Sequence, residues 1–167
     1  MKTISLIDAA KLTSPNPLSL ICSKTPAGTT NLATVSWWTY LSLEPETIGF
    51  AMMKTSYTGE MVRAGKKVVL TIPGNVLAKQ VMQCGCSTGR DRNKAKDFGI
   101  ELKDLPDGDI QIPVHSTVAI RCTLREVVDV GDHYFYICDV ENVYGDADEV
   151  PLFAWKGYAK IAPAKEG

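Results

Sequence analysis

Apolar and β-branched residues recur along the chain in short runs that turn-forming residues separate. This alternation is typical of strands joined by tight turns. The first half predicts four strands at residues 18–24, 31–43, 47–53 and 66–72. The second half predicts Ser116–Val130 and His133–Gly145, joined by the turn VGDH, and one short strand within LFAWKGYAKI. About seven antiparallel strands favour a closed barrel, because closure removes the exposed edges of an open sheet.

Two short helices interrupt this mainly β pattern. The first lies between the third and fourth strands, with Thr58 as its N-cap, Glu60 in its first turn and Gly65 at its end. The second opens at Asn75 and covers NVLAKQVMQC, where apolar residues recur at helical spacing. No repeat or linker is evident, so the sequence predicts a single domain over residues 1–167.

Charge and composition exclude several classes of protein. The formal net charge of the 167 residues is −1, without a basic stripe, which argues against a nucleic-acid partner. No apolar run approaches the roughly 18 residues of a membrane span, so we expect a soluble, cytoplasmic protein. Five cysteines are an odd number in a chain without an export signal, which favours reduced thiols over a disulfide framework.

Catalytic motifs are scarce in the sequence. His115 and His133 are the two histidines, and no P-loop, G-x-S-x-G or H-E-x-x-H motif accompanies them. A hydrolase or kinase is therefore not indicated, and we assign His115 no role. Cys84 and Cys86 form a C-x-C pair, but no further ligands lie at a suitable spacing, so we predict no metal site. For this pair a packing role outweighs a redox role.

Polar residues follow the third predicted strand. If the strand continues through Lys54, then Lys54, Ser56 and Thr58 project to one side, because side chains alternate along a strand. The helix that follows adds its unpaired N–H groups and its positive dipole end. An ammonium, hydroxyls and a helix N-terminus together suit a phosphate dianion. In the alternative interpretation, Thr58 only caps the helix and Lys54 is only solvated.

The second predicted strand also carries unexpected polar groups. Thr34 and Ser36 would face one way along it while Val35 and Trp37 face the other, with Asn31 at its start. Buried hydroxyls and amides need hydrogen-bond partners. A flat heteroaromatic ligand with carbonyl and ring-nitrogen acceptors would provide them. An edge strand with one wet face is the alternative.

Six motifs in this order resemble a known family. They are N-x-x-T-x-S-W, E-P-E, K-x-S-x-T before a helix, S-T-G-R-D-x-N-K, G-D-H before a strand, and P-L-x-x-W-x-G-Y. Over residues 18–161 the chain resembles the flavin reductase-like, FMN-binding split-barrel family, which includes the flavoredoxins. The resemblance implies a six-stranded Greek-key split barrel with a few short helices. It also implies a homodimer that holds FMN near the dimer interface.

The resemblance further implies a set of site residues. The positions that hold the isoalloxazine ring correspond to Asn31, Thr34, Ser36 and Trp37. The phosphate-binding segment corresponds to Lys54, Ser56 and Thr58, in agreement with the reading from the residues alone. A loop that closes over the ribityl phosphate corresponds to Ser87, Gly89 and Lys94. His133 corresponds to a histidine beside the ring.

The function implied is an FMN-binding oxidoreductase in which NADH or NADPH reduces flavin and electrons pass onward. His133 would polarise a ring carbonyl or orient the nicotinamide amide. One alternative is a flavoredoxin-type carrier that takes electrons from a protein partner without NAD(P)H turnover, and another is a barrel without a cofactor. The sequence contains no G-x-G-x-x-G motif, so it does not indicate whether NADH or NADPH would be the electron donor. The sequence also leaves open whether FMN is held permanently or exchanged, and which molecule is the final electron acceptor.

Overall fold

Strands dominate the computed structural model, which describes residues 1–164. Within these residues the strands are β1 Ser19–Lys24, β2 Thr30–Val35, β3 Trp38–Leu43, β4 Glu46–Met53, β5 Lys67–Pro73, β6 Leu102–Lys103, β7 Ile112–Pro113, β8 Ser116–Val130, β9 His133–Gly145, β10 Leu152–Trp155 and β11 Lys160–Pro163. The helices are α1 Leu6–Leu12, α2 Tyr57–Gly65, α3 Ala78–Gly85 and α4 Lys94–Phe98, with a 3-10 turn at Asn75–Leu77. The single domain predicted over residues 1–167 stays a prediction, and residues 165–167 lie outside the described ones.

Seven strands form one antiparallel sheet in the order β2-β1-β5-β8-β9-β4-β3. Its two end strands, β2 and β3, follow each other in the chain, so the chain passes from one end of the sheet to the other through Ser36 and Trp37. This confirms the mainly β split-barrel class, with seven strands in the main sheet of the described residues where the resemblance implied six. The hydrogen-bonded ladder begins at β2 and ends at β3. Within the described residues these two end strands do not pair with each other, so the barrel is split between them.

The prediction of one continuous strand over residues 31–43 is wrong, because this segment forms two strands. Val35 ends β2 and Trp38 begins β3, and the two intervening residues leave the ladder. The carbonyl of Trp37 accepts a hydrogen bond from Ala51 N on β4 at 2.8 Å. This bond continues the pairing of β3 with β4 by one residue, so the crossing itself is short, and a run of strand-forming residues does not reveal it.

The start of α2 differs from the prediction, whereas its end at Gly65 agrees with it. Ser56 is the N-cap, and its hydroxyl accepts a hydrogen bond from Gly59 N at 3.2 Å. The N-cap prediction for Thr58 is therefore wrong, because Thr58 lies inside the first turn. The helix ends at Gly65, and Lys66 forms the left-handed C-cap with φ 59°.

The ends of the chain form elements that the pattern did not predict. The N-terminal segment contains α1, and the last predicted strand is a hairpin of two strands, β10 and β11. The hairpin pairs within itself rather than with the seven-stranded sheet. The second predicted helix is present as the turn Asn75–Leu77 continued by α3.

Both faces of the sheet are buried. On β1, Leu20 and Cys22 join a cluster with residues of α3, α4 and the β10–β11 hairpin, while Ile21 joins the opposite cluster. That second cluster includes Phe50 and Tyr136, whose rings stack with centroids 5.1 Å apart. Side-chain alternation along each strand therefore supplies two cores.

A charged group on the outer surface links three central strands. Glu141 on β9 accepts hydrogen bonds from Lys67 on β5 and Thr123 on β8, and from Arg121 Nε on β8 at 2.8 Å. These bonds lower the pKa of Glu141 from 4.5 to about 2.

We expect Glu141→Gln to lower the free energy of unfolding by about 1 kcal/mol at pH 7, because the side chain is partly exposed and screened. The folded-state pKa lies below the unfolded value. The stabilisation is therefore complete above pH 4.5 and is lost as the pH falls to about 2. Urea denaturation at several pH values measures this, with the exposed Glu126→Gln on β8 as the control. A difference that stays constant down to pH 2 would contradict the assignment.

Candidate functional site

A cavity of about 730 Å³ lies where the crossing from β2 to β3 meets the connection from β4 to α2. The end of α3, the loop after it, the hairpin turn after β10, and His133 complete its walls. Its volume falls within the roughly 300–1,000 Å³ of small-molecule sites. Within the described residues, its lining includes every predicted site residue except Asn31 and Lys54.

The first turn of α2 forms one end of the cavity through Ser56, Tyr57 and Thr58. Amides in the first turn of a helix lack intrahelical acceptors, and the helix dipole is positive there. Thr58 is only 3% exposed, and its hydroxyl oxygen accepts a hydrogen bond from Asn31 Nδ2 at 2.7 Å. The hydroxyl proton of Thr58 is thus left available to donate to a ligand.

Asn31 does not line the cavity, but its amide donates a hydrogen bond to Thr58, which does. Its side chain is buried, and its Oδ1 atom has no hydrogen-bond partner among the described residues. A Cβ atom on Gly89 would lie 1.9 Å from that oxygen, so glycine is required there for the loop to pack against Asn31. The geometry makes Asn31 a positioning residue.

Two predicted ligand-binding hydroxyls donate to the protein backbone. The Thr34 hydroxyl donates to Val81 O at 2.6 Å, and the Ser87 hydroxyl donates to Gln83 O at 2.8 Å. Both bonds join their residues to α3. These residues therefore shape the wall, and each hydroxyl retains acceptor capacity for a ligand.

Lys94 points into the protein from the start of α4. It is 3% exposed, and its ammonium donates to Leu32 O and Cys84 O, both at 2.8 Å. Burial lowers its pKa. An ammonium has three donors, so one remains for the cavity that Lys94 lines.

Lys54 lies apart from the other predicted phosphate ligands. Its ammonium contacts Asp129 Oδ1 at 2.8 Å and Oδ2 at 2.7 Å, and lies 5.2 Å from the centre of the Tyr134 ring. The structure therefore brings Ser56 and Thr58 to the cavity but directs Lys54 to an ion pair.

Trp37 and His133 also line the cavity, with ring centroids 5.1 Å apart. His133 Nδ1 lies 2.7 Å from Asp132 Oδ1. The hydrogen bond to His133 lowers the pKa of Asp132, so the carboxylate accepts and Nδ1 carries the proton. This arrangement leaves Nε2 of His133 available for other partners.

Sequence reasoning missed several wall residues. Tyr158 and Ile161 reach the cavity from the hairpin, which the pattern indicated as one strand. Cys84 and Cys86 also line it; burial raises the pKa of Cys84 to about 11, whereas Cys86 is exposed. His115, to which no role was assigned, lies outside the lining and pairs with Glu149 at 2.7 Å.

Searches for other kinds of site were negative over residues 1–164. No group of three metal-ligating side chains lies close enough together to hold an ion. None of the helices in this part of the chain is long and apolar enough to cross a membrane.

Comparison with known proteins identifies the family. Residues 12–162 match the model of the flavin reductase like domain. The chain belongs to this family. The resemblance drawn from the ordered motifs is thereby confirmed, and family membership supports flavin-related electron transfer as the class of function.

Individual relatives are more distant. The reductase subunit HsaB of a flavin-dependent monooxygenase from Rhodococcus jostii is 34% identical over 127 residues, which are 75% of this chain and 62% of that protein. The chain spans between 61% and 67% of the length of three curated relatives that it matches.

Solved structures share the fold. Flavoredoxin of Desulfovibrio vulgaris superposes with a TM-score of 0.84 at 19% identity, covering 100% of this chain and 95% of that one. An FMN-binding protein of Thermus thermophilus superposes with a TM-score of 0.83 at 18% identity, covering 100% and 97%. At these identities the likeness concerns the split-barrel fold alone.

Proposed function

We propose that this protein is an FMN-binding flavin oxidoreductase in which NADH or NADPH reduces flavin and electrons pass onward. The observation that carries the proposal is the cavity itself. Its lining combines the N-terminus of α2 and a buried hydroxyl donor with the aromatic pair of Trp37 and His133. A ligand that carries a phosphate and a flat ring, linked by a short chain, matches this combination.

The phosphate of FMN would bind at the first turn of α2. The Thr58 hydroxyl donates to it, held by the Asn31 amide, and the amides of the first turn add further donors. Ser56 keeps this turn in place as the N-cap. Lys54 would join only if the phosphate competed with Asp129 for its ammonium.

The isoalloxazine ring would lie along the crossing from β2 to β3. Thr34, Ser36 and Trp37 line that wall, and Ser87, Gly89 and Lys94 line the part of the cavity where their loop would close over the ribityl phosphate. The unused donor of Lys94 suits a carbonyl oxygen of the ring or the ribityl chain. This set of donors and flat apolar surfaces fits FMN.

The bound flavin supplies the redox chemistry, accepting hydride from a reduced nicotinamide and passing electrons to an acceptor. His133 acts on the ligands through Nε2, since Nδ1 is held by Asp132. It polarises a ring carbonyl or orients the nicotinamide amide.

Anaerobic mixing of the protein with FMN and either NADH or NADPH tests the proposal. We expect the absorbance of oxidised flavin to disappear at a rate that rises with protein concentration. His133→Asn should slow this reduction without abolishing FMN binding, whereas His115→Asn, far from the cavity lining, should not change it. Binding of FMN without reduction by either nucleotide would contradict the oxidoreductase proposal.

That outcome would favour the second candidate, a flavoredoxin-type carrier that receives electrons from a protein. The specific observation in its favour is the exposure of apolar residues around the cavity, where Trp37 is 48% and Met53 is 55% exposed. Such residues are enriched where protein surfaces meet. Reduction of the bound FMN by a reduced redox protein, and not by NADH or NADPH, would identify this carrier.

A homodimer is the expected assembly. The end strand β3 presents Tyr40 and Leu43, which are 65% and 87% exposed, next to the crossing that lines the cavity. A symmetric partner would cover these residues and part of each flavin. Light scattering of the FMN-loaded protein should give about twice the chain mass, and Leu43→Asp should halve that mass.

The matched control for the dimer is Val76→Asp, which alters an apolar residue of similar character that is 59% exposed outside β3. It should leave the mass unchanged. A wild-type monomer that binds FMN tightly would show that the chain covers its cofactor alone.

A further inference from the structure

The turn between β10 and β11 is fixed to the N-terminal segment. Asn16 exchanges two backbone hydrogen bonds with Ala154, at 2.8 and 3.0 Å. Lys156 N donates to the Ser14 hydroxyl at 2.6 Å. The hairpin is therefore held in place by contacts from the opposite end of the chain.

Within this turn the backbone is left-handed at three successive residues. The φ angles are 53° at Lys156, 63° at Gly157 and 70° at Tyr158. Glycine adopts such angles readily, whereas a bulky aromatic residue rarely does. Residues held in disfavoured conformations cluster at functional sites.

The Tyr158 side chain extends from this turn into the cavity wall. The residue remains 37% exposed, so the ring is not a fully packed core group. Burial of the phenol raises its pKa, an effect that hydrogen bonding with Ser36 partly offsets. Tyr158 lines the same cavity as Ser36 and Trp37 of the crossing from β2 to β3.

We infer that Tyr158 is a ligand-binding residue that contacts the planar ring of the bound ligand, and that the left-handed turn serves to place it there. This inference rests on the proposed function, in which the ring lies along the same crossing. Since the contact is with the ring and not with the phosphate, it contributes equally to the binding of FMN and riboflavin.

Two glycine variants test the inference, because Lys156 and Tyr158 share the left-handed backbone but only Tyr158 lines the cavity. Urea denaturation of the ligand-free protein reports stability, and quenching of flavin fluorescence reports affinity. We expect Lys156→Gly to raise the urea midpoint and leave both flavin affinities unchanged. We expect Tyr158→Gly to raise the dissociation constants of FMN and riboflavin together, by roughly fivefold to tenfold.

Tyr158→Phe, which keeps the ring, should bind both flavins within about twofold of wild type. Tyr158→Asn is the substitute if the glycine variant does not fold, because asparagine tolerates the left-handed region. Wild-type affinity in Tyr158→Gly or Tyr158→Asn would overturn the inference and leave the proposed function intact. Failure of the wild-type protein to bind either flavin would overturn both.

Discussion

Replacement of Lys94 with methionine should lower the free energy of unfolding by about 2–4 kcal/mol. The Lys94 ammonium is almost fully buried and donates to the carbonyls of Leu32 and Cys84. Methionine has a similar length but no donor, so both buried carbonyls would lose a partner. These bonds connect β2 with α3 and α4, so the loss should also loosen the cavity wall. Urea denaturation at pH 7 without flavin measures the effect.

Lys96→Met is the matched control, since Lys96 lies on the same helix but is exposed. Its effect should stay within about 0.5 kcal/mol. Equal losses in the two variants would show that the internal hydrogen bonds of Lys94 contribute no net stability. Burial lowers the pKa of Lys94 in the folded protein below its ordinary value of 10.5. Between these two pKa values the unfolded chain binds more protons than the folded one, so the stability of the wild-type protein relative to Lys94→Met should increase as the pH rises through this interval.

The strands were the most predictable part of the fold. The predicted bounds of β8 and β9 agree with the structure, because long alternating runs and the Gly131 turn between them act locally. The break at Ser36 and Trp37 was not predictable in this way. It depends on the hydrogen bond to Ala51 and on the chain crossing between the two ends of the sheet.

Site residues were predictable by type and segment but not by orientation. The segment GRDRNKAK contains several cations, and nothing local distinguishes Lys94, which turns inward, from its exposed neighbours. Ser56 and Thr58 are both good N-cap residues two positions apart, and only the backbone geometry assigns the cap to Ser56. The ion pair of Lys54 depends on Asp129, which is distant in the sequence.

The assignment of the cap to Ser56 separates phosphate binding at Thr58 from helix capping. Thr58→Val removes the hydroxyl while the N-cap remains, so the helix should persist, and the loss of the acceptor for Asn31 Nδ2 should appear as a lower free energy of unfolding of the flavin-free protein. We expect the affinity for FMN to fall by about tenfold to a hundredfold, the value of a buried hydrogen bond to a charged oxygen. Ser56→Ala should also weaken FMN binding, but with a loss of about 1 kcal/mol of helix stability.

Riboflavin separates the phosphate contact from every other contribution to binding. It lacks the phosphate, so wild-type protein should bind it more weakly than FMN, and Thr58→Val should leave its affinity unchanged. Gly89→Ala should reproduce the selective loss of FMN affinity, because its Cβ would displace the Asn31 amide that orients the Thr58 hydroxyl. Thr29→Val, in the exposed turn between β1 and β2, should change neither affinity. Equal affinity of the wild-type protein for the two flavins, or an unchanged FMN affinity in Thr58→Val, would refute a phosphate site at the first turn of α2.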